Sequence, residues 1–318
     1  MKIFITGING FVGSYLAEHL ISSSPDQIYG LIRKNARLDN IARIKHKINL
    51  FKGDILNYKM IASAIKSSRP QWIFHLAAKV SPRYVQEASE EMLETNIIGT
   101  LHLLKAAQNY APKAKVLIAS SAAIYGDTPP SSLPIKETCP VKPIDAYGSG
   151  KASGEIISQQ YFRTFGLKII IARTFNVLAP AKAHTFIEAG ILPQIKSIKE
   201  GGKPIIRVGD INTYRDFLDV RDVVKAYIAL LKRGQPGEIY NVCSNKMVGM
   251  KEILNFLLQK TNLKNKVKII RDPKLVRPID IRKSLGNNRK IIYHTNWRPK
   301  ISIRQTLSEL LENENLSF

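Results

Sequence analysis

The chain has little cysteine and little acid. Cys139 and Cys243 are the only two cysteines in 318 residues. Two thiols make no disulfide framework, so a reducing cytoplasm is the expected home. No apolar run approaches the roughly 20 residues that span a bilayer, so no membrane partner is expected. The opening MKIFITG is too short and too soon broken by glycine to be a secretion signal; it reads as a first buried strand. Internal repeats, low-complexity tracts and long Gly/Ser linkers are missing as well. Acids number 25 against 48 Lys and Arg, a formal charge of +23. Between Lys260 and Arg304 fourteen Lys/Arg face two acids, Asp272 and Asp280. A solvated basic face explains this surplus, and so does attraction of a polyanionic substrate and cofactor. Nucleic acid is a poorer match, because no zinc finger, RNA-stacking signature or helix-turn-helix accompanies the charge.

What is present is a globular chain, 44% hydrophobic, long enough for one large core or two modest ones. Its first half alternates short apolar runs with amphipathic stretches. Strands are predicted over 3–6, 27–32, 48–52, 72–76, 114–119 and 168–173. Helices are predicted over 10–22, 59–67, 90–108 and 146–165. This rhythm predicts a mostly parallel sheet covered on both faces. The region 182–208 and the region 246–303 are less regular and read as pieces of a smaller lobe. Residues 216–232 and 238–242 read as a return to the first lobe.

Thr6-Gly7-Ile8-Asn9-Gly10-Phe11-Val12-Gly13 follows the first strand and opens the first helix. Gly7, Gly10 and Gly13 let the backbone turn tightly and approach a pyrophosphate, and the helix N-terminus offers free N–H groups. Phe11 and Val12 belong to the same segment. The second strand ends Leu31-Ile32-Arg33-Lys34 and carries no acid where NAD sites place one for the ribose 2′-hydroxyl. Arg33 instead suits adenine stacking and a 2′-phosphate, which favours NADP(H) over NAD(H). A surface basic pair is the plainer reading. Asp54, in Gly53-Asp54-Ile55, is either an acceptor for the adenine amino group or an ordinary turn aspartate. His75-Leu76-Ala77-Ala78 closes the fourth strand with the small residues a close dinucleotide requires, and His75 reads as packed rather than catalytic. No metal is expected.

Tyr147 and Lys151 lie four apart, on one face of the predicted helix 146–165. An ammonium beside a phenol favours phenolate, so Lys151 is expected to lower the Tyr147 pKa and make it a proton donor and acceptor. A Tyr and a Lys also recur at this spacing on any amphipathic helix.

Together TGINGFVG, GDI, HLAA, TNIIGT, SSAAIYG and YGSGK resemble, in order, the extended short-chain dehydrogenase/reductases acting on nucleotide sugars, also called the NAD-dependent epimerase/dehydratase family. The resemblance covers nearly the whole chain. It implies a Rossmann-type doubly wound α/β fold with a smaller C-terminal α/β substrate-binding lobe. The division drawn is 1–176 with 212–243 for NADP, and 177–211 with 244–318 for the nucleotide sugar. It further implies that Ser121 holds the substrate oxygen, Tyr147 is the acid/base, Lys151 grips the nicotinamide ribose, and Asn96 braces the active-site helix. Downstream, the segments around Val208, Arg215 and Arg277-Pro278-Ile279-Asp280 look most like the family's GDP-4-keto-6-deoxymannose reductases. That likeness makes Arg215 and Arg277 diphosphate ligands, Asp280 a ribose ligand and Asn176 a sugar contact, with a GDP-sugar as substrate. A 4,6-dehydratase needs acid and base groups after its catalytic Ser or Thr, where this chain has Ala122 and Ala123. SSAAIYG itself looks more like the 4-epimerases, which keeps that reaction open. A non-enzymatic dinucleotide sensor is a further alternative. The family's habit implies at least a dimer, built on the helix after Asn96 and the Tyr147 helix.

Overall fold

A computed structural model describes residues 1–80, 87–181, 187–276 and 281–316. The first strand, β1 (Lys2–Thr6), is buried along four of its five residues and runs into α1 (Phe11–Ser23). Then come β2 (Gln27–Ile32), β3 (Ile48–Lys52), α2 (Tyr58–Ser68) and β4 (Trp72–His75). The Asn57 side chain caps α2 by accepting the Met60 N–H at 3.2 Å. Next are α3 (Glu87–Tyr110), β5 (Lys115–Ser121), α4 (Ala146–Phe165) and β6 (Lys168–Thr174). Asp145 caps α4 through the Gly148 N–H at 2.7 Å, and Gly166 ends it in the left-handed region at φ 68.

The remaining elements are β7 (Asn176–Leu178), α5 (Leu192–Lys199), β8 (Ile205–Val208), β9 (Tyr214–Asp219) and α6 (Val220–Arg233). They are followed by β10 (Ile239–Val242), β11 (Met247–Gly249), α7 (Met250–Lys260), β12 (Lys268–Arg271), α8 (Arg289–Thr295) and α9 (Ile303–Asn313).

Seven strands form one parallel sheet in the order β3-β2-β1-β4-β5-β6-β10. The chain begins mid-sheet, runs to one edge, returns and runs to the other. That is the doubly wound Rossmann order, with its switch point between β1 and β4. One face packs α1 and α6 side chains such as Leu16, Leu20, Val223 and Leu230 against the sheet. The opposite face packs Ile61, Ile65, Leu103 and Tyr161 from α2, α3 and α4. A separate core joins Ile195, Ile206, Leu254, Leu257 and Leu310 from α5, β8, α7 and α9. The sheet β7-β9-β11 and the pair β8-β12 lie outside the large sheet. Of the stretch read as returning to the first lobe, α6 and β10 join the large sheet and its core, whereas β9 pairs with β7 and β11. No helix among the described residues is long and apolar enough to cross a membrane.

Candidate active site

The cleft opens at the switch point, where the C-terminal ends of β1 and β4 diverge. It measures about 450 Å³ and is lined by Gly7, Gly10, Arg33, Asp54 and Ile55 on one side. Leu76, Ala77 and Ala78 line the other. Gly7 sits at φ 70, and a Cβ there would stand 2.9 Å from the Ala77 nitrogen. A Cβ on Gly13 would stand 2.2 Å from the Gly7 carbonyl oxygen, so only glycine permits this loop-to-helix approach. No side chain caps the N-terminus of α1, which leaves backbone N–H groups for an anion. A glycine cradle, an open helix start and a cleft of this size fit a dinucleotide. Phe11 and Val12 are not in the cleft lining; they pack with Tyr15 and Val177 against Ala179 and Val220. Asp54 caps a turn, its Oδ1 accepting the Leu56 N–H at 2.9 Å, and the residue also lines the cleft.

His75 is packed, as expected. Its Nδ1 lies 2.8 Å from Thr6 Oγ1 and its Nε2 3.0 Å from Thr100 Oγ1. Thr100 donates onward to the Asn96 carbonyl at 2.7 Å, and Thr6 accepts the Ala77 N–H at 3.1 Å. The Asn96 side chain accepts from Lys79 N–H at 2.9 Å and donates to the Lys79 carbonyl at 3.1 Å. Asn96 is therefore a brace between α3 and the strand end that floors the cleft, and not part of the lining. Burial and the Lys151 charge push the His75 pKa down to about 3.

Ser121 ends β5 and starts a short helical turn, accepting the Ala123 N–H at 3.2 Å. Tyr147 and Lys151 project from the first turns of α4. That helix lies close on α3 because a Cβ at Gly150 would already stand 3.0 Å from Asn96 Cβ. Lys151 Nζ sits 5.9 Å from the centre of the Tyr147 ring, and the Ser121 side chain is near enough to the Tyr147 phenol to favour its phenolate. Here one expectation is corrected. Tyr147 is raised, not lowered: burial disfavours phenolate, the nearby Ser121 side chain opposes this, and the Asp145 charge adds to the rise. Lys151 spends its Nζ on the Ala119 carbonyl at 2.7 Å. Burial brings its own pKa down to about 8, against the pull of Glu155.

Behind Ser121 lies an ion pair that the sequence reading missed. Arg173 on β6 donates from Nε to Glu155 Oε1 at 3.0 Å and from Nη2 to Oε2 at 2.7 Å. Both side chains are buried, and Ser120 donates to the same carboxylate. Arg173 Nη1 continues to the Tyr125 hydroxyl at 3.0 Å, which donates to Asn241 at 2.7 Å. Glu155 falls four residues after Lys151, and that helical spacing was the available signal.

On the substrate side, Asn176 donates its Nδ2 to the Asp216 carbonyl at 3.1 Å. Arg215 Nη1 donates to the Tyr214 carbonyl at 3.0 Å. Val208 ends β8 with its side chain buried in the smaller core and its carbonyl accepting the Asp272 N–H at 2.8 Å. Arg277 and Asp280 lie outside the described residues. No group of three or more His, Cys, Asp or Glu among the described residues could hold a metal ion.

A profile of the GDP-mannose 4,6 dehydratase family matches residues 4–310. The chain belongs to that family. It is thereby an enzyme of the NAD(P)-dependent short-chain dehydrogenase/reductase superfamily. GDP-6-deoxy-D-mannose reductase of Pseudomonas aeruginosa is 30% identical over 316 residues, 98% of this chain and 96% of that protein. Among solved structures, RMD from Pseudomonas aeruginosa complexed with NADPH superposes with a TM-score of 0.82 at 29% identity, covering 98% of each chain. The dTDP-glucose 4,6-dehydratase of Bacillus anthracis in complex with NAD gives 0.84 at 26% identity, over 99% of this chain and 96% of that one. A nicotinamide dinucleotide is the cofactor that these family members share with the cleft described here. The cleft also includes Asn9, Thr95 and the Lys79–Glu91 ion pair, which the sequence reading did not single out.

Proposed function

We propose that the chain reduces the C4 keto group of a GDP-4-keto-6-deoxyhexose with NADPH, yielding GDP-D-rhamnose. Tyr147 and Lys151 on the first turns of α4, with Nζ 5.9 Å from the ring centre, and Ser121 at the end of β5 against that helix carry this reading. The glycine loop, Arg33, the 76–78 floor and Lys151 would hold NADPH, which would supply the hydride. Tyr147 donates its phenolic proton to the C4 oxygen as negative charge develops there. Its raised pKa keeps the phenol protonated, the form a reduction needs. Ser121 stabilises the same oxygen by hydrogen bonding. Lys151 adds positive charge near the phenolate left behind.

Dehydration would also need a base and an acid near C5 and C6. The turn after Ser121 offers the methyl groups of Ala122 and Ala123, and Asp145 is occupied by its cap at 2.7 Å. Arg33 in the cleft supports NADP(H) over NAD(H). The smaller lobe, 177–211 with 244–318, takes the nucleotide sugar, with Asn176 and Arg215 at its near edge and Arg277 and Asp280 carried over by resemblance. We assign a homodimer through α3 and α4, where Ile98 and Ile156 are 37% and 71% exposed.

The test is NADPH oxidation with GDP-4-keto-6-deoxy-D-mannose, with the C4 configuration of the product read by NMR. Tyr147→Phe is expected to keep NADPH binding and lose at least about 100-fold in turnover. Turnover near wild type refutes the assignment. The SSAAIYG turn supports one rival, a nucleotide-sugar 4-epimerase. No net NADPH oxidation, with nicotinamide retained through purification, favours it.

A further inference from the structure

The two candidate substrate groups on β7 and β9 are held from behind by one carboxylate. Asp216 is fully buried, and among the described residues its oxygens accept only from neutral donors. Oδ1 accepts the Ser244 N–H at 2.7 Å and the Ser244 hydroxyl at 2.6 Å. Oδ2 accepts the Asn245 N–H at 2.9 Å and the Gly286 N–H at 3.2 Å. One side chain thus joins β9 to the turn after β10 and to the loop 281–287.

That loop also leans on the neighbours of Asp216. Ser284 N–H donates to the Tyr214 carbonyl at 3.0 Å, and Tyr214 N–H donates to the Arg282 carbonyl at 2.9 Å. Arg215 Nη1 approaches the Arg282 carbonyl at 3.5 Å. The backbone carbonyl of Asp216 is the acceptor that orients Asn176. Both side chains assigned to the sugar nucleotide are therefore anchored on the backbone that this carboxylate fixes.

We propose that Asp216 is a positioning residue of the sugar-nucleotide site: its carboxylate clasps the 244–245 turn and the 281–287 loop to β9, and neutralising it weakens sugar-nucleotide binding while leaving dinucleotide binding intact. The proposal rests on the reading of this lobe as a nucleotide-sugar site.

The clasp is sensitive to acid. Burial raises the Asp216 pKa to about 6, against the four hydrogen bonds that favour the carboxylate. Once protonated, one oxygen presents an O–H to N–H groups, and at least one of the four bonds is lost. Cys243, the residue after β10, is buried nearby, and its thiol pKa is raised by burial and by the Asp216 charge. It therefore stays neutral through the relevant range. Arg215 on β9, Lys246 beside the turn, and Arg282 and Lys283 on the loop are the charged side chains on these segments.

The experiment combines calorimetric binding of GDP-mannose, whose diphosphate does not titrate here, with amide hydrogen exchange between pH 7.5 and 5. Loss of about one net hydrogen bond corresponds to roughly tenfold weaker GDP-mannose binding across that range. NADPH affinity is expected to stay constant. After correction for intrinsic rates, exchange at 244–245 and 284–287 is expected to rise as the pH falls through 6. Asp216→Asn binds weakly at every pH and shows no acid transition. Ser244→Ala keeps the carboxylate but removes a bond that lowers its pKa, so its transition moves to higher pH. That shift is one a merely structural contact would not give, and it stands if Asp216→Asn fails to fold. Exchange that ignores pH in the wild type, or a transition unmoved in Ser244→Ala, overturns the clasp. Acid-dependent exchange without GDP-mannose binding at any pH supports the clasp and refutes the GDP-sugar reading instead.

Discussion

Replacing His75 by glutamine is expected to remove an acid sensitivity that the fold otherwise carries. His75 is 2% exposed. Thr100 spends its hydroxyl proton on the Asn96 carbonyl, so it accepts from the imidazole, and the hydrogen-bond pattern assigns the ring proton to Nε2. Thr6 then donates to Nδ1. Both nitrogens are satisfied with the ring neutral, and a second proton would place a cation beside buried Lys151. The folded pKa is accordingly about 3, against 6.5 for an exposed imidazole. The unfolded chain takes up a proton as the pH drops below 6.5 and the folded chain does not. The stabilisation is whole above 6.5 and drains away toward 3. Each pH unit is worth at most about 1.36 kcal/mol, and because the unfolded imidazole is already half protonated at 6.5, the step from 6.5 to 4.5 removes about 2.3 kcal/mol. A glutamine amide accepts and donates as the neutral ring does and has nothing to titrate. Urea unfolding of both proteins at the two pH values isolates the contribution, since every other group is shared. Wild type should lose about 2.3 kcal/mol more than His75→Gln. If both lose the same amount, His75 titrates as an ordinary imidazole and the buried neutral relay is wrong.

Glu155→Ala leaves the Arg173 guanidinium buried without its carboxylate and is expected to cost about 3–5 kcal/mol by urea unfolding. Adding Arg173→Met should recover part of that, and a single variant as stable as wild type would show the pair to be idle. Arg33→Ala is expected to weaken NADPH by about tenfold or more, the worth of a charge-assisted bond, while NADH binding, followed by nicotinamide fluorescence, changes little. Equal losses for both nucleotides would remove the case for NADP(H).

The large sheet was legible for a plain reason. Its strands are buried on both faces and are written as short apolar runs such as KIFIT, WIFH and KIIIART, each parted by an amphipathic helix. Helix 146–165 was read to the residue because an aspartate cap and a trailing glycine mark its ends. α3 runs from Glu87 to Tyr110, longer at both ends than read, because its first turn is acidic and polar and carries no apolar period. The smaller lobe was harder. β7 and β11 are three residues long, and β8 and β12 four. Alternation cannot be recognised over so few positions. Nor does a sequence period tell which sheet a strand joins, and β9 pairs with β7 and β11 rather than in the large sheet.

The active centre divides along a similar line. Side-chain identity and spacing brought Ser121, Tyr147 and Lys151 together, because a helix turn and a strand end leave little freedom in where they meet. Protonation was not legible, since it depends on water excluded by residues far away in the chain. A lysine four residues from a tyrosine suggests a phenolate, yet the lysine is buried beneath β5 with its Nζ on the Ala119 carbonyl. Desolvation acts on both partners, raising the phenol and lowering the ammonium to about 8. For a reductase this is the useful sense of the shift. The phenol arrives protonated and gives its proton to a developing alkoxide, and the nearby ammonium compensates the charge only once the phenolate has formed. An enzyme oxidising an alcohol would need the phenolate first. Tyr and Lys at helical spacing could not have disclosed this direction of the shift, because burial sets it.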